Sequence, residues 1–282
     1  EEIIATKVES DSQWKNQQQA DRQNTTEMQD CGIELIVNDP AQYLHYLTLQ
    51  GDNPAYSAGN VAIVLAGMDG ATVFGTRDRW QTLGRSVMEG EVGVKIFARD
   101  ARTKSYALTD AFDVSQTQGK DLKQRTLRED SAEMSSALKT LLNYSKAEPV
   151  VDHDLDTPAF FDEERELAVN PDYSDPEAFA AIAAEVALTR FHDKGYNPDY
   201  SWARYELDAQ SVSYILCRRY GIEPKQPNLE RLAERFEGMS LDECKSVLDK
   251  VQDMSRQIGR SIDLNIEAEK RKSRTAERRP AR

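Results

Sequence analysis

No stretch of this 282-residue chain approaches the roughly 18 consecutive apolar residues that a membrane-spanning helix requires, which excludes a helical membrane protein. Cysteine is scarce. Cys31, Cys217 and Cys244 are odd in number, far apart and free of any Cys-x-x-Cys pattern. They point to a reducing compartment and argue against a disulfide framework or a cysteine-ligated metal. The three histidines, His45, His153 and His192, share no ligand-type spacing. Glycine-rich nucleotide loops are absent, since neither Gly-x-x-x-x-Gly-Lys nor Gly-x-Gly-x-x-Gly occurs. A cysteine nucleophile is unsupported, because Cys217 lies within an apolar helical pattern rather than at an activated helix start. The opening Glu1-Glu2-Ile3-Ile4 is no secretory signal, and without an initiator methionine it is expected to come from a piece of something longer. The expected location is the cytoplasm.

What is present describes a soluble, surface-rich protein: 39% hydrophobic and 30% charged residues, enough length for one large domain or two ordinary ones. The net charge of −13 disfavours broad attraction to DNA or acidic membranes. Its distribution is uneven. Residues 256–282 hold nine Lys/Arg against four Asp/Glu, a basic run that reads as a solvated helix end or a nucleic-acid tail. Residues 1–110 hold ten Lys/Arg against sixteen Asp/Glu, so a DNA groove there has to be a local patch.

Residues 1–30 are polar, with few apolar anchors, and read as weakly ordered or as a helix needing a partner. Helical spacing follows over Gln42–Leu49, a turn at Pro54–Ser57 and an apolar helix over Asn60–Met68. Thr72–Phe74 reads as a strand, Arg77–Leu83 as a helix closed by Gly84, and Val92–Ala98 and Tyr106–Val114 as strands. Ser115–Asp130 has linker composition. Ser131–Ser145 is an amphipathic helix, and Val150–Asp156 and Arg165–Val169 are short strands. Helices are expected over Asp175–His192, Ala203–Tyr220 and Leu229–Glu237. Ser240 with Glu243 opens a further long helix to about Ile258 or beyond. No internal repeat is visible.

One stretch has the frame of a zinc-peptidase site without its ligands. Set against His-Glu-x-x-His, the chain reads Ala184-Glu185-Val186-Ala187-Leu188. Two histidines at i and i+4 share a helix face and grip one zinc while the glutamate acts as base. Alanine and leucine have no donor atom, and without metal-activated water a lone carboxylate has little hydrolytic power. Glu185 then reads as a relic or structural group, and His192 as a packing residue.

Two blocks carry a family resemblance. The first contains Tyr56-Ser57, Asn60, Val64-Leu65 and Gly70-Ala71-Thr72-Val73. It continues through Trp80-x-x-Leu83-Gly84-Arg85-x-Val87-x-x-Gly90-Glu91-x-Gly93-x-x-Ile96-Phe97 and ends in Phe112-Asp113-Val114-Ser115-Gln116-Thr117-x-Gly119. The second runs from Ala184 to Asp193, followed by Glu206-x-x-Ala209-Gln210-Ser211-Val212-x-Tyr214-Ile215-x-Cys217-x-x-Tyr220-Gly221-Ile222. Together, over roughly residues 54–222, they resemble the ArdC-like antirestriction family found on plasmids, phages and other mobile genetic elements.

The resemblance implies an α+β fold: a single-stranded-DNA-binding domain followed by a mostly helical zincin-like, pseudo-metallopeptidase domain. The implied boundaries are a polar segment 1–30, a DNA-binding domain 31–117, a linker 118–130, a degenerate metallopeptidase-like domain 131–237, and a C-terminal helix and basic tail 238–282. Gln210 falls where the family has a third, glutamate ligand, so Ala184, Leu188 and Gln210 mark a degenerate metal site. No cofactor and no catalytic residue beyond the relic Glu185 are expected. Single-stranded DNA is the expected partner. It would be held by Arg77, Arg79, Arg85, Lys95 and Arg99 around Trp80, which reads alternatively as a core plug, or around Phe97. A protein partner through the acidic surface is a second expectation. The expected function is therefore non-catalytic handling or protection of DNA, with a divergent metallopeptidase and a pure protein-interaction module as alternatives.

Overall fold

The structure, a computed structural model, describes residues 2–99, 105–162, 166–192 and 200–277. Arg165, Asp193 and the end of the basic tail, 278–282, lie outside the described residues. Polar caps set several helix starts. Asp39 accepts from the amides of Ala41 and Gln42, with Pro40 in the first turn, and starts α2 (Pro40–Asp52) after the long α1 (Glu2–Asn38). Ser57 caps α3 (Ala58–Gly67) and Thr76 caps α4 (Arg77–Thr82). Between and after these come β1 (Phe74–Thr76), β2 (Arg85–Val87), β3 (Val94–Arg99), β4 (Tyr106–Asp113) and β5 (Thr117–Gly119). The second half holds α5 (Ala132–Tyr144), β6 (Glu148–Val151), β7 (Ala159–Phe161), β8 (Glu166–Val169), α6 (Asp175–His192), α7 (Trp202–Arg219), α8 (Leu232–Phe236) and α9 (Leu241–Glu277). The architecture mixes helices with small sheets, as the sequence implies. No described helix is long and apolar enough to cross a membrane.

The sheets are small: β1-β4-β3, the ribbon β2-β5, and β6-β8-β7. In the first, both outer edges are closed by asparagine amides instead of strands. Asn53, fully buried, donates to Thr72 O at 2.7 Å and accepts from Phe74 N at 2.9 Å along β1. Asn60 donates to Phe97 O at 2.7 Å and accepts from Phe97 N at 3.0 Å along β3. Each amide supplies one donor and one acceptor, which is what a neighbouring strand would offer.

Several expectations shift. The polar N-terminus is helical throughout α1. From Thr25 onward that helix packs into the body, and Gly32 lies so close to α3 that a Cβ there would collide with the carbonyl of Ala62. The expected linker Ser115–Asp130 contains β5, and Arg125 within it pairs with Asp263 and Glu267 of α9. Leu127 is buried, and its amide donates to Tyr220 O. The strand expected at Thr72 begins at Phe74, β7 escaped the periodicity, and the Leu229–Glu237 helix is a 3-10 turn followed by α8. One hydrophobic core runs from Ile33 in α1 to Ile266 in α9, so packing is continuous across the expected boundaries.

Removing one clamp tests this account of the sheet edge. Asn53→Ala strands the buried Phe74 N–H and frees the Thr72 carbonyl, and urea unfolding should show a loss of at least about 1 kcal/mol. A loss below about 0.5 kcal/mol, the range of ordinary surface substitutions, would contradict it.

Candidate functional site

The α6–α7 pair carries Ala184, Glu185, Leu188 and Gln210, the expected degenerate site. Two contacts fix its geometry. Phe191 near the end of α6 stacks on Tyr205 near the start of α7 at 4.9 Å, and Ser213 further along α7 donates to Ala180 O at 2.7 Å. The helices are therefore antiparallel, and the middle of α6, Ala184 to Leu188, lies against the stretch of α7 around Glu206 and Gln210. Ala180, Ala184 and Leu188 fall on one stripe at i, i+4 and i+8. Leu188 is buried at 2% exposure, so hydrocarbon fills its position. Gln210 is engaged elsewhere: its Nε2 donates to Glu206 Oε1 at 3.1 Å, and its Oε1 accepts from Asn228 N at 2.6 Å.

Glu185 lies one residue off that stripe and faces the outer edge of β7, where it accepts from Phe161 N at 2.9 Å. Burial pushes its carboxyl up to about 7 from 4.5, and the Phe161 amide offsets part of that rise. His192 meets Phe161 and Tyr200 edge-on, at 5.7 and 4.8 Å between ring centroids. The other histidines are remote from it in the fold: His45 is exposed on α2, and His153 bonds Asp172 at the surface. Among the described residues, no three His, Cys, Asp or Glu side chains converge as a metal would need.

The DNA-binding candidates scatter. Trp80 is fully buried, and its Nε1 donates to Phe112 O at 3.0 Å. It plugs the core beneath α4 and presents no face to a base, which corrects the expectation of a stacking platform. Arg85 spends its guanidinium on the ribbon, bonding Thr117 Oγ1, Thr117 O and Lys120 O at 2.8, 2.9 and 2.6 Å. It clamps the ribbon. Lys95 sits between Asp21 and Asp110, at 3.6 and 3.4 Å. Arg77 and Arg79 lie over the rings of Phe112 and Tyr56, at 4.5 and 5.7 Å. Phe97 is half-buried, its backbone held by Asn60. Arg99 is exposed at the end of β3.

Cations and an open ring do meet at one place that the sequence pattern does not reveal. Across the β3–β4 pairing Arg99 stands opposite Tyr106, whose side chain is 60% exposed, and Arg22 of α1 donates to Tyr106 O. The available signal was the alternation of β3, which places Lys95, Phe97 and Arg99 on one face. Which residue opposes Arg99 depends on the hairpin register, which the sequence did not specify.

No protein-family model and no curated protein sequence matches the chain. In structure it is similar to the antirestriction protein ArdC from plasmid R388. The Mn(II)-bound crystal structure of that protein aligns at 18% identity with a TM-score of 0.50, over 86% of this chain and 97% of that one. Its metal-free crystal structure aligns at 17% identity with a TM-score of 0.46, over 76% and 86%. The chain thus has the ArdC fold, in agreement with the resemblance carried by its motifs. The residues at the expected ligand positions do not fit a divalent cation. Ala184 and Leu188 offer no donor atom, Gln210 Oε1 already accepts from Asn228, and Glu185 already accepts from Phe161.

The raised Glu185 carboxyl makes a signed prediction. Between about pH 4.5 and about 7 the folded chain holds a proton that the unfolded chain has released, so this group lowers stability as pH rises through that window and no further above it. Glu185→Gln removes the effect and still offers an oxygen to Phe161. Its stability relative to wild type should rise across the window and level off above pH 7, at about 3 kcal/mol at most. A difference independent of pH in urea titrations would show that Glu185 titrates normally.

Proposed function

We propose, on the premise of the ArdC fold, that this chain is a non-catalytic protein that binds single-stranded DNA and antagonises restriction. The observation that carries the non-catalytic half is that Ala184 and Leu188 have no donor atom while Gln210 spends both ends of its amide on the protein itself. A divergent metallopeptidase would need donors that these positions lack.

The DNA half rests on the Arg22, Arg99 and Tyr106 corner. Single strands are held by cations spaced along a groove and by rings on which bases stack, and this corner supplies both. Antirestriction describes the R388 protein, and mobile-element origin belongs to the family resemblance; both come to this chain as part of the proposal. A second reading, a protein partner docking on acidic surface, draws on the net charge of −13 and on Arg85 and Lys95 being already engaged.

Binding to a single-stranded oligonucleotide, measured against salt concentration, tests the DNA half. Tyr106→Ala should weaken it about tenfold or more, because stacking contributes roughly 1–3 kcal/mol per base. Arg22→Gln with Arg99→Gln should flatten the salt dependence by about one unit for each phosphate left without its cation. If affinity and salt slope are unchanged in both variants, this corner is not the DNA site. An absence of salt-dependent binding by the unaltered chain would favour the protein partner.

A further inference from the structure

We infer that Gln210 is the centre of a latch that replaces a metal, holding the segment leading into α8 against the face of α7 where the metal site would open. The inference rests on the non-catalytic reading above. Glu206 is 8% exposed, so its carboxylate needs compensation inside the protein. It receives a hydrogen bond from Gln210 Nε2 on Oε1, and it faces Arg231 Nε across 3.6 Å on Oε2, too far for a hydrogen bond. On its other side the same Gln210 amide takes the backbone N–H of Asn228, the residue after buried Pro227. Asn228 in turn caps the 3-10 turn Leu229–Arg231, which brings Arg231 back towards Glu206. The loop closes on itself.

Only a group that donates and accepts at once can stand at position 210. Glutamate there would set two carboxylates one helical turn apart. The cation beside them, Arg231, is already shared with Glu234. A divalent cation resolves such a pair by binding it; here an amide resolves it by removing one charge and supplying a donor. Gln210 is in this account a replacement part, and its loss should be felt in folding.

Thermal unfolding of the full chain, followed by circular dichroism, tests the latch. Gln210→Glu and Gln210→Ala should each lower the midpoint by about 5 °C. The exchange Glu206→Gln with Gln210→Glu restores one amide and one carboxylate, leaves an acceptor for Asn228 N, and should recover more than half of the Gln210→Glu loss. A wild-type midpoint in Gln210→Glu, or an exchange variant no better than Gln210→Glu alone, would overturn the latch. Recovery of the Gln210→Glu midpoint on adding Zn(II) would support it, since a cation would then be doing the work of the amide; a Zn(II)-dependent rise in the midpoint of the unaltered chain would instead contradict the non-catalytic reading.

Discussion

The structure turns on the desolvation of α7. From Glu206 to Cys217 every residue of this helix is buried except Gln210, which is half-buried. Backbone bonds satisfy themselves within a helix; side chains do not, and a polar group left unpaired in such a place costs about 1–3 kcal/mol. The buried polar side chains on α7 therefore draw partners from neighbouring elements, with Glu206 Oε2 the exception. Asp208 forms a bidentate pair with Arg235 of α8 at 2.8 and 2.7 Å, Ser211 bonds Tyr43 of α2, and Ser213 bonds α6. Tyr214 meets Thr48, and Arg218 grips Asp52. Burial still pushes the Asp208 carboxyl upward despite Arg235, so breaking that pair would be severe, at about 3–5 kcal/mol. These partners register α2, α6 and α8 against one helix, and the expected site inherits its geometry from that registration.

What the sequence made legible follows from how local each signal is. The bounds of α6 and the starts of α5 and α9 could be read because a cap and a 3.6-residue apolar pattern lie within a few positions of each other, as with Ser131 and with Ser240 and Glu243. The three-residue strands β5 and β7 could not, because each is defined by a partner elsewhere: β5 by β2, β7 by β8. The site divides in the same way. The missing donors at Ala184 and Leu188 are visible in one helical turn. That Trp80 is interior and Arg85 a clamp depends on Phe112 and Thr117, some thirty residues away, and nothing local to either residue says so.

The side chains at the expected metal positions serve the fold, through packing and hydrogen bonding: Glu185 caps the edge of β7, and Leu188 adds to the core. Buried polar groups need partners, and Glu185 and Gln210 take theirs from the backbone, through Phe161 N and Asn228 N, while Glu206 Oε2 is left without a hydrogen bond.

Metal content measures the central claim most directly. Elemental analysis of the purified, untagged protein should give far less than one zinc or manganese per chain after dialysis against a weak chelator. Stoichiometric metal surviving that dialysis would contradict the account, because it would require ligands other than Ala184, Leu188 and Gln210.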